Sequence, residues 1–358
     1  MAFLIIIIST TLVFAYPVDR SADIKAEEFS AISDRISVSP VKKTSFPFTE
    51  AIYSWEIDIP EQQGMRLFVR FKFDEDNVSP WLYAGYWGEV QPRDEDIRTT
   101  STYVKILYDH IFLKKPATAF QFRIKSEGEK ELSVMPRLHF VYTREAETGE
   151  EKVIPEASSS KNILLDLPFR SQHSSTGEYI KSTCQSAALA TAMEYFGKKI
   201  PLEDIASLTY DPEYDLRGVW PRTIAAATQY GFRGYIDRFR DWDDVRETVA
   251  QNRVILASIT MPEDGDYIDP PYSSMGGHIV AVNGVTEDGR VVVTDSALSK
   301  NERGYRLQWL IPDFEQIWMK NKGGVGMVIY NPEDKDSRVI RDLKPFPSYK
   351  KDPSENKE

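Results

Sequence analysis

The spacing of hydrophobic and polar positions changes character along this 358-residue chain. Between about Phe46 and Thr143 apolar residues recur every second position in short runs: WEIDIP, RLFVRFKF, WLYAGYW, YVKILYDHIFL, FQFRIK and PRLHFVY. Each run suits a strand, and clusters of Gly, Pro, Asp, Asn or Ser separate them. Gly128, between Ser126-Glu127 and Glu129-Lys130, suits a hairpin turn. No helical period is present, so residues 46–143 are expected to form an all-β sandwich. The aromatics Trp55, Trp81, Tyr83, Tyr86 and Trp87 in these runs suit a buried core better than an exposed binding platform.

Past residue 163 the period lengthens. Cys184–Phe196 has small and apolar residues at helical spacing, with Gly197 placed to end it. Pro201–Leu208, Pro221–Tyr230 and Asp241–Gln251 read as three further helices, the third with an acidic first turn. VILASIT, GHIVAVNGV, RVVVTDSA and GVGMVIYN then read as strands, and TEDG (Thr286–Gly289) joins the middle two as a hairpin. Helices followed by an antiparallel sheet define an α+β domain over residues 163–332. Between the two regions, the polar stretch 144–162 reads as a linker. Residues 16–45 are mixed and charged, as in a lead-in or propeptide-like linker, and 333–358 reads as a flexible tail.

Residues 1–15, MAFLIIIISTTLVFA, are too short an apolar run to span a bilayer comfortably and end in the small residues that signal peptidase accepts. The expectation is a cleavable signal peptide, cut near Ala15, and a secreted or extracytoplasmic protein that has no membrane association afterwards. A net charge of −11 argues against nucleic acid or an anionic membrane as partner. The chain has one cysteine, Cys184, so no internal disulfide forms. Its thiol is a buried apolar residue, an intermolecular link or a reactive group.

Position separates these readings. A thiol at a helix N-terminus meets unpaired backbone N–H groups and the positive end of the macrodipole, which favour the thiolate. A nucleophile also needs a base and a group that orients the base. Of the four histidines, His110 and His139 fall in the strands of the first region and read as cross-strand residues, and His173 lies in a loop. His278 opens the strand GHIVAVNGV after two glycines. Asp295 ends the strand VVVTD, and hairpin pairing brings the start of one strand to the end of the other. Cys184, His278 and Asp295 are therefore the expected nucleophile, base and orienting group. The Cys184 N–H and the side-chain amide of Gln172, in LPFRSQHSS, are the expected oxyanion donors. The acidic loop Pro262–Pro270 lacks the ligand spacing of a calcium loop. With no zinc spacing and no phosphate-cradling loop, no cofactor or metal is expected.

These residues resemble the papain-like cysteine peptidases related to the bacteriocin-processing, or double-glycine leader, peptidases. DLPFRSQ is similar to that family's approach to its Gln loop, and GGHIVAVNGV with VVVTDSA to its His–Asp hairpin. The resemblance extends to exported members with a β-rich N-terminal domain, whose sequences FTEAIYSWEI, PWLYAGYWGE and FQFRIK are similar to. It implies a papain-like fold and cysteine-dependent hydrolysis of a peptide or protein substrate. One departure stands out: relatives follow the Cys with a small residue and Pro, and here Gln185 and Ser186 follow. The alternatives on the same residues are a non-catalytic peptide-binding protein and an acyl transferase or amidase.

Overall fold

The computed structural model describes residues 17–89, 97–128, 131–147, 162–174, 183–298 and 303–334. The expected signal segment, most of the expected linker and most of the tail lie outside the described residues. Among those described, no helix is long and apolar enough to cross a membrane.

The first region is all β: β1 (Val18–Ile24), β2 (Ser30–Ser33), β3 (Ile36–Val38), β4 (Lys42–Glu56), β5 (Gly64–Lys72), β6 (Leu82–Gly88), β7 (Val104–Leu107), β8 (His110–Glu127) and β9 (Arg137–Arg144). These strands form one branched antiparallel network, not the two separate hydrogen-bonded sheets of a simple sandwich. The cause is the length of β8, whose 18 residues pair with β3, β4, β5 and β7 in turn. Phe48, Phe71, Phe120, Phe122 and Phe140 fill the interior, with Phe120 and Phe140 stacked 3.9 Å apart. Trp55, Tyr83, Tyr86 and Trp87 are buried as well. Trp81 is half-buried beneath the guanidinium groups of Arg70 and Arg123.

The lead-in differs from the sequence expectation. Residues 18–24 are not loose: β1 runs antiparallel to β9 over seven residues, from Val18 opposite Arg144 to Ile24 opposite Leu138. Its polar residues had hidden a strand that buries one end only.

The second region contains β10 (Ile163–Leu164), α1 (Cys184–Tyr195), α2 (Leu202–Thr209), β11 (Tyr210–Asp211), β12 (Leu216–Arg217), α3 (Trp220–Gln229), β13 (Arg233–Arg238), α4 (Trp242–Ala250), β14 (Val254–Met261), β15 (Met275–Val285), β16 (Arg290–Thr294), β17 (Leu307–Leu310), α5 (Ile311–Glu315) and β18 (Val325–Tyr330). Its main sheet runs β13-β18-β14-β15-β16-β17, antiparallel throughout, with β10 also on β15. Six consecutive residues of β14, Val254–Ile259, are buried, which requires cover on both faces. Helix α1 lies against β15 and is buried along almost its whole length. Its four alanines allow that close approach, and Gly197, at φ 89°, ends it.

The two regions share a continuous apolar core. Strand β13 is the edge of the second sheet, and side chains of β4 take up its outward N–H groups: Gly234 N donates to Glu56 Oε1 (2.8 Å) and Ile236 N to Ser54 Oγ (3.1 Å). An edge covered in this way offers no template for further pairing. The Trp220 N–H at the start of α3 donates to Asp109 Oδ2 (2.6 Å), and Arg222 Nη1 to the Tyr86 carbonyl (3.1 Å).

Candidate active site

Helix α1 opens at Cys184 with no capping side chain at its N-terminus. The Thr183 hydroxyl, which would suit a cap, donates instead to the Gln172 carbonyl at 3.1 Å. The first N–H to close a helical bond is that of Ala187, onto the Thr183 carbonyl (2.9 Å). The N–H groups of Cys184, Gln185 and Ser186 therefore precede the helical ladder, and the Gln185 N–H helps to lower the Cys184 pKa. Gln185 and Ser186, the two departures from the family pattern, serve the interior. Gln185 Nε2 donates to the Val219 carbonyl (3.1 Å), and Ser186 Oγ bonds Thr209 Oγ1 (2.8 Å). Helix α1 starts at the cysteine without the proline.

His278 sits on β15 opposite Ile259 of β14, and Asp295 follows the last residue of β16. A bulge decides their meeting. Near the turn, Gly284 pairs with Val292; beyond Asn283 the register shifts, and Ala281 pairs with Thr294. Continued by one residue, that register sets Asp295 opposite Val280, on the face that carries His278. In the unshifted register Asp295 would stand opposite Ala281, on the other face. His278 Nε2 bonds Asp295 Oδ1 at 2.8 Å. Asp295 is fully buried and accepts further bonds from the Ala297 N–H (2.9 Å, Oδ1) and the Tyr272 hydroxyl (Oδ2). Behind it Gly304 is obligatory, because a Cβ there would collide with the Asp295 carbonyl.

The thiol of Cys184 is partly exposed, and the His278 ring and the Ile279 N–H are close enough to act on its charge. With Nε2 committed to Asp295, the ring nitrogen left for sulfur is Nδ1. Burial pushes the thiol up, but the His278 ring and its charge, with the two backbone N–H groups, bring it below its ordinary value. Burial pulls His278 down, yet the Asp295 carboxylate and the thiol outweigh it and raise the imidazole to about 10. Asp295 is held below the usual carboxylate range, its burial offset by His278, Tyr272 and the Ala297 N–H. All three shifts favour a thiolate beside an imidazolium.

Gln172 lies in a 3-10 turn, Gln172–Ser174, next to α1. Ser296, the residue after Asp295, holds it twice: Gln172 N donates to the Ser296 carbonyl (3.0 Å), and Ser296 Oγ donates to Gln172 Oε1 (3.0 Å). That second bond fixes which end of the amide carries its N–H groups. The structure thus gathers Cys184, His278, Asp295 and Gln172 around the head of α1. Tyr272 and Ser296 were not found by sequence reasoning. Ser296 sits in the quoted run VVVTDSA, but Tyr272 lies in the loop PPYSS, where no spacing marks it.

The other histidines have partners of their own. His110 Nε2 pairs with Glu50 Oε1 (2.7 Å), His139 Nδ1 with Asp23 Oδ1 (2.7 Å), and His173 Nε2 contacts the Ala297 carbonyl (3.2 Å). The acidic loop after Pro262 is tied down by Asp313, which accepts from the Ile268 and Asp269 N–H groups at 2.8 and 2.9 Å. Among the described residues, no group of three or more His, Cys, Asp or Glu is placed to hold a metal ion.

A thiol at the head of a buried helix, facing a His–Asp pair on an antiparallel sheet, is the arrangement of the papain-like cysteine peptidase class. Residues 164–325 match the model of the Peptidase_C39 like family. Two solved structures are similar. One is a double glycine motif protease from an AMS/PCAT transporter in complex with the leader peptide: 14% identity, 50% of this chain and 98% of that one covered, TM-score 0.31. The other is the peptidase domain of Streptococcus ComA, a bi-functional ABC transporter involved in a quorum-sensing pathway: 14% identity, 41% and 90% covered, TM-score 0.30. No curated protein matches the chain.

Proposed function

We propose that this protein is a cysteine peptidase that hydrolyses peptide or related amide bonds outside the cytoplasm, after removal of residues 1–15 as a signal peptide. The observation that carries the catalytic part is the arrangement at the head of α1: His278 bonded to buried Asp295 at 2.8 Å, with the Cys184 thiol within reach of the imidazole's charge. In this reading the Cys184 thiolate attacks the scissile carbonyl carbon, forming a C–S bond and an oxyanion. The Cys184 N–H and the Gln172 amide stabilise that oxyanion. The His278 imidazolium gives its proton to the leaving nitrogen as the C–N bond breaks, which leaves a thioester. Water, deprotonated by His278, attacks the thioester; the C–S bond breaks and the acid is released. Asp295 holds the imidazole in the productive tautomer, and Tyr272 and the Ala297 N–H hold Asp295.

Because Cys184 is the chain's only cysteine, alkylation reports on it alone. The test is the rate of iodoacetamide labelling against pH for the mature protein and for His278→Ala. A labelling pKa below the free-thiol value of about 8.5, lost in the variant, is expected. An ordinary or raised pKa, indifferent to His278, would sink the peptidase reading. Export is tested separately by sequencing the N-terminus of the protein recovered outside the cytoplasm; an uncut Met1 would refute it.

A further inference from the structure

A cavity of about 460 Å³ opens where the two regions meet, lined by Glu50 and His110 from the first and by Arg238, Arg240, Lys320 and Lys322 from the second. Four cations against one carboxylate contrast with a chain whose net charge is −11. Three of those cations are answered: Arg238 by Glu50 (3.4 Å), Arg240 by Asp19 (2.6 Å) and Lys320 by Glu315 (3.5 Å). Lys322 has no ion pair among the described residues, and the buried carboxyl it acts on is Asp109. Arg238 is 93% buried by its 7% exposure, and its Nε, with Asp19 no nearer than 3.9 Å, makes no hydrogen bond. Burial and the charges of Arg238 and Lys322 outweigh the Glu50 partner and hold His110 below its ordinary value.

Neighbouring residues link the walls of this cavity to both arms of the candidate site. On one side Trp220 follows Val219, whose carbonyl receives Gln185, the neighbour of Cys184. On the other, Asn321 donates to the Thr260 carbonyl (3.2 Å), and Thr260 lies next to Ile259, the strand partner of His278. Sheet register agrees: Arg238 pairs with Val325, Gly326 with Ala257, and Ile259 with His278, so the cavity and the His278 arm occupy the same end of the sheet.

We infer that this cavity is a specificity pocket that receives a single acidic side chain of the peptide substrate. Four cations against one carboxylate in the wall, one of them Lys322 with no ion pair among the described residues, match one carboxylate in charge. The volume falls within the range of small-ligand sites. The pocket deepens the peptidase reading by naming a substrate class, and it assigns a role to the first region, whose Glu50 and His110 complete the wall.

The test is protection of Cys184 against iodoacetamide by N-acetyl tetrapeptide amides carrying one Glu, or one Gln in its place, at each position in turn. At one position the Glu peptide is expected to protect at about tenfold lower concentration than its Gln twin. That advantage is expected to vanish in Lys322→Gln and reverse in Lys322→Glu, with thermal melts showing that the variants keep their fold. Equal protection by the twins at every position, no protection by either, or an advantage that survives both variants would overturn the pocket. Cleavage of the same peptides is followed by mass spectrometry. A Glu advantage in protection without any cleavage would sink the hydrolase reading and leave the pocket standing.

Discussion

Two histidine–aspartate pairs of nearly equal length occur in this molecule. His139 and Asp23 face each other across β9 and β1 at 2.7 Å, and His278 meets Asp295 on the second sheet at 2.8 Å. Their surroundings differ. The Asp23 side chain is 69% exposed, so water screens the pair and its contribution is of the order of 0–1 kcal/mol. Asp295 is fully buried, accepts three hydrogen bonds, and its imidazole faces the thiol of Cys184. A His–Asp distance carries no chemistry by itself. Burial, which makes each charge depend on its partner, and a thiol beside the ring set the second pair apart.

The comparison breaks most sharply at the thiol. Cys184→Ala is expected to abolish alkylation and to lower peptide hydrolysis by about 10⁴-fold or more, because the covalent route is lost. His278→Ala should match that loss in hydrolysis and return the labelling pKa toward the free-thiol value. His139→Ala should leave both unchanged, as steady-state rates and labelling profiles would show. A comparable loss in His139→Ala would erase the distinction between the pairs.

The aspartates come next. Asp295→Asn is expected to lower kcat by about 10²–10⁴-fold, since the amide favours the wrong imidazole tautomer. Asp23→Asn should leave kcat unchanged and shift stability by less than about 1 kcal/mol in urea unfolding. For the oxyanion side, Gln172→Ala is expected to reduce kcat by about 10²-fold.

pH sharpens the contrast further. The imidazole of His278 rises from 6.5 to about 10 on folding. Its contribution to stability is therefore complete below pH 6.5 and is lost as pH rises through about 10. Asp295 is lowered from 3.8, so its contribution is present above pH 3.8 and is lost as pH falls through its lower folded value. Urea midpoints of the wild type minus those of His278→Gln should decline between about pH 7 and 10. A flat difference would show that the buried pair is not ionised in the folded state.

The smallest effects belong to the supports. Tyr272→Phe and Ser296→Ala each remove one hydrogen bond, of about 1 kcal/mol, and should lower kcat by roughly fivefold. Tyr272→Phe should also raise the pH at which activity is lost on the acid side, because Asp295 loses a donor that favours its charged form. Ser296→Ala should leave that limb in place, since it acts on Gln172 instead.

Much of this site was legible in the residues. A single cysteine heading a run of small and apolar positions marks a helix N-terminus, and GGHIVAVNGV-TEDG-RVVVTD announces a hairpin with its His and Asp at the same end. These are local signals, set by period and turn chemistry. Less legible was the first region, where the alternation of apolar residues revealed strands but not their joining into one network through β8. The polar strand β1 was missed because only one of its residues, Ile24, is fully buried; its place is held by backbone pairing to β9, which any sequence can make.

By itself the sequence determined the main element types, the position of the thiol at a helix start, the paired strands that bring His278 and Asp295 together, and the Gln172 loop, while β15 begins at Met275, three residues before His278. Each follows from interactions within a few residues. Tertiary structure alone decided which face Asp295 occupies, through the bulge at Asn283. It alone brought Tyr272 and Ser296 to the relay, and it alone set Glu50 and His110 of one region into the same cavity wall as Arg238 and Lys322 of the other. Those contacts join residues distant in the chain. Their energies depend on burial and on the charges gathered around them, which no local period encodes.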